Sequence, residues 1–327
     1  MSTKRNTAFF INGGAGRVIT SIPALELYHK ENPDDDFIIV CEGGMDFYKG
    51  HPVLHKKAYD VFHKNLFEDK LIDRELKTPE PYRVWEYYNQ KASLGQCYDI
   101  EINNKGVRDL PRPSIKLSQQ EAMSGVKLIQ EVKEKTKKDK VVVFQPFGRG
   151  TVNENGMIGD PSGRSFDPEN VVNIVKKLSK DFGIIFMSEI AIEFQKHGVK
   201  QPVAIPQNID LRFWCGIIQA ADHFLGCDSV GGHIVNALDC SATIVVGSTF
   251  KENISYPENP KFDILDMGEG ARVYSPIRIT IDEWSDRTNE GIMAMNDTIE
   301  DLVVKSVNSM VKDGTRVEIP EAPKQEK

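Results

Sequence analysis

The chain has 327 residues, of which 40% are hydrophobic, and its 41 basic and 48 acidic side chains leave a formal charge of −7. This length and composition are typical of a globular protein with two domains and a sizeable core. The acidic balance argues against a surface that follows the phosphates of duplex DNA. No apolar run approaches the roughly 18 residues of a membrane span, and the polar start leads directly into a strand, so we expect a cytoplasmic protein without integral membrane contact.

Short apolar runs alternate with amphipathic segments of helix length, which is typical of parallel sheets with crossover helices. In the first half, this alternation predicts strands at 8–12 and 36–41, with a glycine loop and a helix at 19–30 between them. The charged and aromatic segment after residue 54 has weak periodicity and predicts irregular helices and a strand at 98–102. A capping box that begins at Ser118 predicts a helix to about residue 135.

The alternation resumes after a lysine-rich linker. It predicts strands at 141–145, 183–188, 203–205, 223–226 and 242–246, and helices at 168–181, 190–197, 211–220 and 232–238. Two such halves predict an α/β protein with two Rossmann-like domains that face each other across a cleft. We expect domains at 1–136 and 137–296, a C-terminal helix at 297–313 that crosses back to the first domain, and a flexible tail at 314–327.

The segment from residue 221 to residue 257 carries the strongest indication of a binding site. A buried strand there runs into a polar turn and a new helix, and open α/β sheets bind ligands at the carboxyl ends of their strands. Asp228 and Ser229 can cap this helix, while Gly231 and Gly232 allow an anion or a sugar hydroxyl to approach its positive end. His233 lies at the same helix start and is either a ligand contact or a structural histidine.

A glycine loop joins the first strand to the first helix. Gly13, Gly14 and Gly16 can cradle an anionic or sugar group, or they serve only a tight turn. The loop is not G-x-G-x-x-G, because Arg17 takes the place of a small residue. A dinucleotide-dependent dehydrogenase is therefore not supported.

A second loop with phosphate-binding character follows the strand at 141–145. Gly148 allows close backbone approach, and the guanidinium groups of Arg149 and Arg164 can grip a diphosphate, although both are equally explained as exposed loop arginines. Glu189 ends a later strand and either accepts hydrogen bonds from a ribose or base or caps a helix. No zinc-protease, P-loop or α/β-hydrolase motif is present. We predict no metal site and no cofactor.

Three segments resemble the ADP-heptose:lipopolysaccharide heptosyltransferase group, glycosyltransferase family 9. Residues 16–25 resemble its T-x-P-A-L loop and helix, and residues 145–178 resemble the start of its second domain, with Arg164 before an aromatic residue and a P-E helix. Residues 210–257 resemble its A-D-x-x-V-G-x-D-S-G-x-x-H-x-A-x-A-L and F-G-x-T elements. The matching residues of this last segment are Asp228, Ser229, His233, Ala237, Leu238, Gly247, Thr249 and Pro257.

The resemblance implies the GT-B fold, a nucleotide diphosphate sugar held mainly by the second domain, and metal-independent transfer to an acceptor hydroxyl. It also exposes a departure, because Arg17 stands where the family commonly has a catalytic aspartate. Guanidinium cannot accept a proton at physiological pH. We therefore expect Arg17 to act through its charge, and Glu42 or Asp46, which follow the second strand, to be the substitute base.

These observations leave several functions open. The first hypothesis is a glycosyltransferase whose partners are a nucleotide sugar donor and a glycan or other hydroxyl acceptor, with a nucleic acid acceptor not favoured. A second is a catalytically inactive protein that binds a sugar nucleotide or glycan, which the missing aspartate motivates. A GT-B epimerase or phosphorylase is a third.

Overall fold

The computed structural model describes residues 6–154, 157–272, 289 and 291–317. Within these ranges it contains a four-stranded sheet and a six-stranded sheet, both parallel, and a small antiparallel hairpin. The predicted α/β architecture with two Rossmann-like halves is confirmed. No helix of the described ranges is long and apolar enough to cross a bilayer.

The strands and helices have the following bounds. The strands are β1 Thr7–Ile11, β2 Ile38–Cys41, β3 Ala58–Asp60, β4 Glu75–Lys77, β5 Val141–Gln145, β6 Val152–Glu154, β7 Met157–Gly159, β8 Gly183–Phe186, β9 Val203–Ala204, β10 His223–Cys227, β11 Ala242–Val246 and β12 Phe262–Asp266. The α-helices are α1 Ala15–Glu31, α2 Trp85–Tyr88, α3 Leu94–Asn103, α4 Gln119–Thr136, α5 Pro168–Leu178, α6 Leu211–Ala220, α7 Val230–Ala237, α8 Lys251–Ile254 and α9 Asp297–Asp313.

The order of the second sheet creates a crevice at its centre. The strands run β12-β11-β10-β5-β8-β9, so the chain builds one side from β5 outward and then returns to build the other side from β10. The topological switch point therefore lies between the carboxyl ends of β5 and β10. Gln145 ends β5, and Asp228 directly follows β10.

The predicted strand at 98–102 is wrong, because these residues belong to α3. Their apolar and polar side chains alternate, which imitates a strand. A capping box upstream decides the outcome: Gln96 N donates to Ser93 Oγ at 3.3 Å, and Ser93 N donates to Gln96 Oε1 at 2.9 Å. The helix packs on α1, and its buried residues include Tyr98 and Ile102 at helical spacing.

The helix α4 packs on the second sheet, so the expected domain boundary at residue 136 falls too late in the chain. Its main contact is α6, and it also touches β5 and β8. Two glycines allow the backbones to meet: a Cβ on Gly125 would lie 2.0 Å from the Gly216 oxygen, and one on Gly216 would lie 2.2 Å from the Glu121 oxygen. The boundary lies before α4 because this close helix crossing fixes it to α6.

The C-terminal helix also differs from expectation, because α9 packs on α5, β10, β11 and β12 of the second half rather than crossing to the first domain. Buried polar side chains explain this. Ser306 Oγ donates to Asp263 at 2.6 Å and lies 2.8 Å from Thr243 Oγ1, whereas Glu300 accepts from Asn170 at 2.8 Å. The first residues of the expected flexible tail, 314–317, run along the same half. Val317 N donates there to Asp263 at 3.0 Å. The rest of the expected tail, residues 318–327, lies outside the described ranges.

Substitution of Gly125 by alanine tests the α4–α6 crossing. The added Cβ meets a backbone oxygen that cannot move away, so the helices must separate. We expect the free energy of unfolding to fall by about 1–3 kcal/mol, despite the gain of roughly 1 kcal/mol in helix propensity. Urea denaturation measures the change. Gly106→Ala is the control because nothing lies within 4 Å of its Cβ; equal stability of the two variants would refute the close crossing.

The histidine that begins β10 makes stability depend on pH. Its ring bonds Ser241 and Thr243, and burial lowers the pKa of His223 to about 3. In the unfolded chain the ordinary pKa is about 6.5. Between about pH 6.5 and 3 the unfolded state therefore binds a proton that the folded state does not, and stability falls with decreasing pH by up to about 1.4 kcal/mol per pH unit.

His223→Gln keeps hydrogen-bonding groups and removes this titration. We expect urea denaturation to show a larger loss of stability between pH 7 and pH 5 in the wild type than in the variant. Parallel pH profiles of the two proteins would contradict the assignment of a neutral, buried His223.

Candidate functional site

The first turns of α1 and α7 meet across the two halves of the molecule. A Cβ on Gly16 would lie 2.8 Å from His233 Cδ2, and one on Gly14 would lie 3.4 Å from Arg149 Nη1. Gly13 has a φ of +96°, which favours glycine. The structure therefore brings the N-terminal glycine loop to the candidate residues of the second domain, and its glycines permit the close approach.

Neither N-cap residue of these two helices forms a side-chain cap bond. Gly14 and Ser229 hold the N-cap positions, and neither first turn contains an acidic residue. The positive ends of two helix dipoles thus face the same cleft. Such an arrangement favours an anion between them.

Gln145 organises the start of α7 in place of the caps expected from Asp228 and Ser229. Its Oε1 accepts from Gly231 N at 3.0 Å, and its Nε2 lies 3.2 Å from Ser229 Oγ. The helix begins at Val230 rather than at Gly232, so both glycines lie in its first turn. A Cβ on Gly231 would lie 2.2 Å from Gln145 Oε1, which explains the glycine.

Arg164 lies in the wall of the crevice, where carboxylates balance its charge. Its Nη1 is 3.8 Å from Asp228 Oδ2, and its Nε donates to Ser162 Oγ at 3.0 Å. Burial opposes the charged form, but Asp228 and Asp160 outweigh it and raise the pKa of Arg164. In the same loop, Gly148 N donates to the Ser165 hydroxyl at 2.9 Å. The loop is thus fixed by its own hydrogen bonds, and Arg149 is exposed with no ion-pair partner among the described residues.

His233 is a neutral hydrogen-bonding group. Burial lowers its pKa more than Asp228 raises it, and burial also raises the pKa of the Tyr256 phenol. The Tyr256 hydroxyl lies 2.7 Å from His233 Nδ1, and the tautomer of the ring decides which of the two donates. The other ring nitrogen, Nε2, lies on the side of Gly16.

Two further donor-site candidates have no side-chain hydrogen bond to these residues within the described ranges. Thr249 is buried, and its hydroxyl has no hydrogen-bond partner within the described ranges. Glu189 is exposed beyond the end of β8, and no hydrogen bond or ion pair of the described residues connects it to the others. Both remain predictions.

On the first-domain side, Arg17 is held by its own domain. Its Nη2 lies 3.0 Å from Glu80 Oε1, its Nε donates to the Tyr98 hydroxyl at 2.8 Å, and its guanidinium stacks 5.2 Å from the centre of the Tyr82 ring. We expected Arg17 to present an unpaired charge at the cleft edge, but residues of its own domain already pair with this charge.

The two carboxylates expected to replace the aspartate differ in their surroundings. Glu42 Oε2 accepts from Gly13 N at 2.6 Å, so this exposed side chain braces the glycine loop. Asp46 lies in the 3-10 turn Met45–Tyr48 and pairs with Lys49 at 2.6 Å. Of these two carboxylates, Glu42 is the one that has a hydrogen bond to the glycine loop among the described residues.

Comparison with solved structures identifies the architecture. The sequence matches no protein-family model and no curated protein. A family 9 glycosyl transferase from Veillonella parvula superposes with a TM-score of 0.66 at 12% identity, over 95% of this chain and 98% of that one. The Escherichia coli ADP-heptose lps heptosyltransferase II gives 0.62 at 10% identity, over 93% and 98%. This chain has the GT-B fold.

A third GT-B structure is similar over a smaller part of its own length. The iron-containing dodecameric glycosyltransferase TibC from enterotoxigenic E. coli gives a TM-score of 0.55 at 12% identity, over 96% of this chain and 79% of that one. In the described part of this GT-B chain, no three His, Cys, Asp or Glu side chains are grouped so that they could hold a metal ion.

Sequence reasoning missed three side chains of the GT-B cleft. Gln145 carries a weak signal, since a polar residue ends an otherwise apolar buried strand. Tyr256 and Glu80 carry none, because their partners lie 23 and 63 residues away in the chain.

Proposed function

We propose that this protein is a glycosyltransferase that transfers a sugar from a nucleotide diphosphate sugar to an acceptor hydroxyl. The observation that carries the proposal is the pair of helix starts, without a side-chain bond from either N-cap residue, that face one cleft of a GT-B fold. The diphosphate is the anionic part of such a donor, and this is the part that helix N-termini bind.

The second domain holds the donor in this proposal. The diphosphate lies at the first turn of α7. Gly232 lets it approach the backbone there, whereas Gly231 N already donates to Gln145 Oε1. Arg149 supplies the uncompensated positive charge, because Asp228 and Asp160 already balance Arg164. Ser229, His233 and Thr249 complete the donor side with two hydroxyl groups and an imidazole ring, and Glu189 is the candidate for the ribose or base.

The leaving diphosphate needs no metal ion in this scheme. Guanidinium groups and a helix start stabilise the developing negative charge in place of a cation. Because TibC is iron-containing, the donor assays are run with and without EDTA, and activity that requires an added metal would refute this part of the proposal.

The first domain supplies the acceptor side. The acceptor is a hydroxyl of a glycan or another small molecule, and the net charge of −7 does not favour a nucleic acid. A carboxylate of this domain accepts the proton of the hydroxyl. Glu42 and Asp46 are the candidates that the sequence offers.

A catalytically inactive binding protein is the second candidate. Arg17 is paired with Glu80, Glu42 is bonded to Gly13 N, and Asp46 is paired with Lys49, so all three groups expected at the reaction centre have structural partners. The same donor site would then serve recognition alone.

Thermal unfolding with a panel of nucleotides separates these possibilities. Since the similar heptosyltransferase acts with ADP-heptose, ADP and ADP-sugars are tested first, followed by UDP and GDP compounds. A ligand at 100 times its Kd stabilises the fold by about 2.7 kcal/mol. Stabilisation followed by slow release of the nucleoside diphosphate supports a transferase, and stabilisation alone supports a binding protein. No stabilisation by any nucleotide would contradict both.

Arg149→Ala tests the site within the same experiment. This exposed side chain has no structural partner among the described residues, so its loss should leave the fold intact and weaken binding of the stabilising nucleotide by about 1.5–3 kcal/mol. Arg112→Ala is the matched control, because it removes an equal charge that pairs with Asp239, beyond the opposite end of α7. Equal affinities of the two variants would refute the role of Arg149.

A further inference from the structure

The first-domain side of the cleft contains a carboxylate that the sequence does not reveal. Glu80 Oε1 lies 3.0 Å from Arg17 Nη2, and the side chains are 35% and 15% exposed, respectively. The guanidinium is thus largely enclosed, whereas the carboxylate that it holds is accessible to a small molecule.

Arg17 holds this carboxylate in a defined orientation. The guanidinium is fixed by the Tyr98 hydroxyl of the buried helix α3 and by the face of the Tyr82 ring, so it has little freedom of its own. It engages Oε1 of Glu80. The second oxygen, Oε2, has no hydrogen-bond partner in the described part of the chain and is free to accept a proton.

The cluster lies where the two domains face each other. Arg17 directly follows Gly16, which packs against His233 of the second domain. Tyr82, which stacks on Arg17, also acts electrostatically on Arg164 in the wall of the donor crevice. Glu80 is therefore anchored to residues that border the donor site.

The other carboxylates near the cleft are less firmly positioned. Glu42 Oε2 accepts from Gly13 N at 2.6 Å and leaves Oε1 without a partner among the described residues, but this side chain is exposed and no enclosed guanidinium orients it. Asp46 is engaged with Lys49 on the surface.

We propose that Glu80 is the general base of the transfer and that Arg17 is its positioning residue; this rests on the proposed glycosyltransferase function. The proton of the acceptor hydroxyl passes to Glu80 Oε2, and the acceptor oxygen forms a bond to the anomeric carbon. The bond from that carbon to the donor phosphate oxygen breaks, and the nucleoside diphosphate leaves with the electron pair. Glu80 then releases its proton to solvent.

Glu80→Gln tests the assignment with two acceptors that differ in their need for a base. The amide keeps an acceptor for Arg17 but cannot take up a proton. Release of ADP from ADP-heptose is measured with water and then with azide, an anion that attacks without losing a proton. We expect the rate with water to fall about 10²-fold or more, the rate with azide to stay close to that of the wild type, and ADP affinity to be unchanged.

Glu101→Gln, the same change on the exposed side of α3, is the control and should retain both rates. A wild-type rate with water in Glu80→Gln would overturn the assignment, and equal losses with water and azide would show a structural role instead. A large loss in Glu42→Gln with an active Glu80→Gln would transfer the role to Glu42. If the wild type releases no nucleoside diphosphate from any nucleotide sugar, the proposed glycosyltransferase function itself fails.

Discussion

The contact between Gly16 and His233 is the constraint on which the functional architecture depends. It joins the first turn of α1 to the first turn of α7 with no room for a side chain on the glycine. Two helix starts whose N-cap residues form no side-chain cap bond are thereby held against one cleft. The same contact places Arg17, the next residue, beside the donor crevice, so the donor and acceptor halves of the proposed reaction depend on one close approach.

The secondary structure could be predicted where consecutive residues are all buried. Strands such as β5, β10 and β11 are mostly apolar and all of their residues are buried, and their sequence shows this directly. The hydrophobic pattern failed to predict packing where polar side chains are buried together with their hydrogen-bond partners. Ser306 and Glu300 look like surface residues of α9, yet both are buried by partners on β12 and α5. At α3 five alternating residues imitated a strand, and the capping box upstream determined the helix.

The sequence predicted the backbone loops of the candidate site, but it did not predict which side chains pair with the site residues. Glycines and polar residues at strand ends revealed the loops around Gly13, Gly148 and Asp228, because their chemistry is local. The pairing of Arg17 with Glu80 and of His233 with Tyr256 joins distant segments and changes the expected role of each residue. Arg17 was expected to carry a free charge and is paired, and His233, expected to be a ligand contact or a structural histidine, is a neutral hydrogen-bonding group.

Hydrogen exchange with and without ADP tests the central claim most directly, because it reports which backbone N–H groups a diphosphate protects. With saturating ADP, we predict slower exchange at the first turn of α7 and in the loop around Gly148, with a smaller effect in the glycine loop at the start of α1. The α4–α6 crossing should exchange at the same rate in both states. Binding of ADP that leaves the first turn of α7 unprotected, or that protects only segments outside the cleft, would contradict this account.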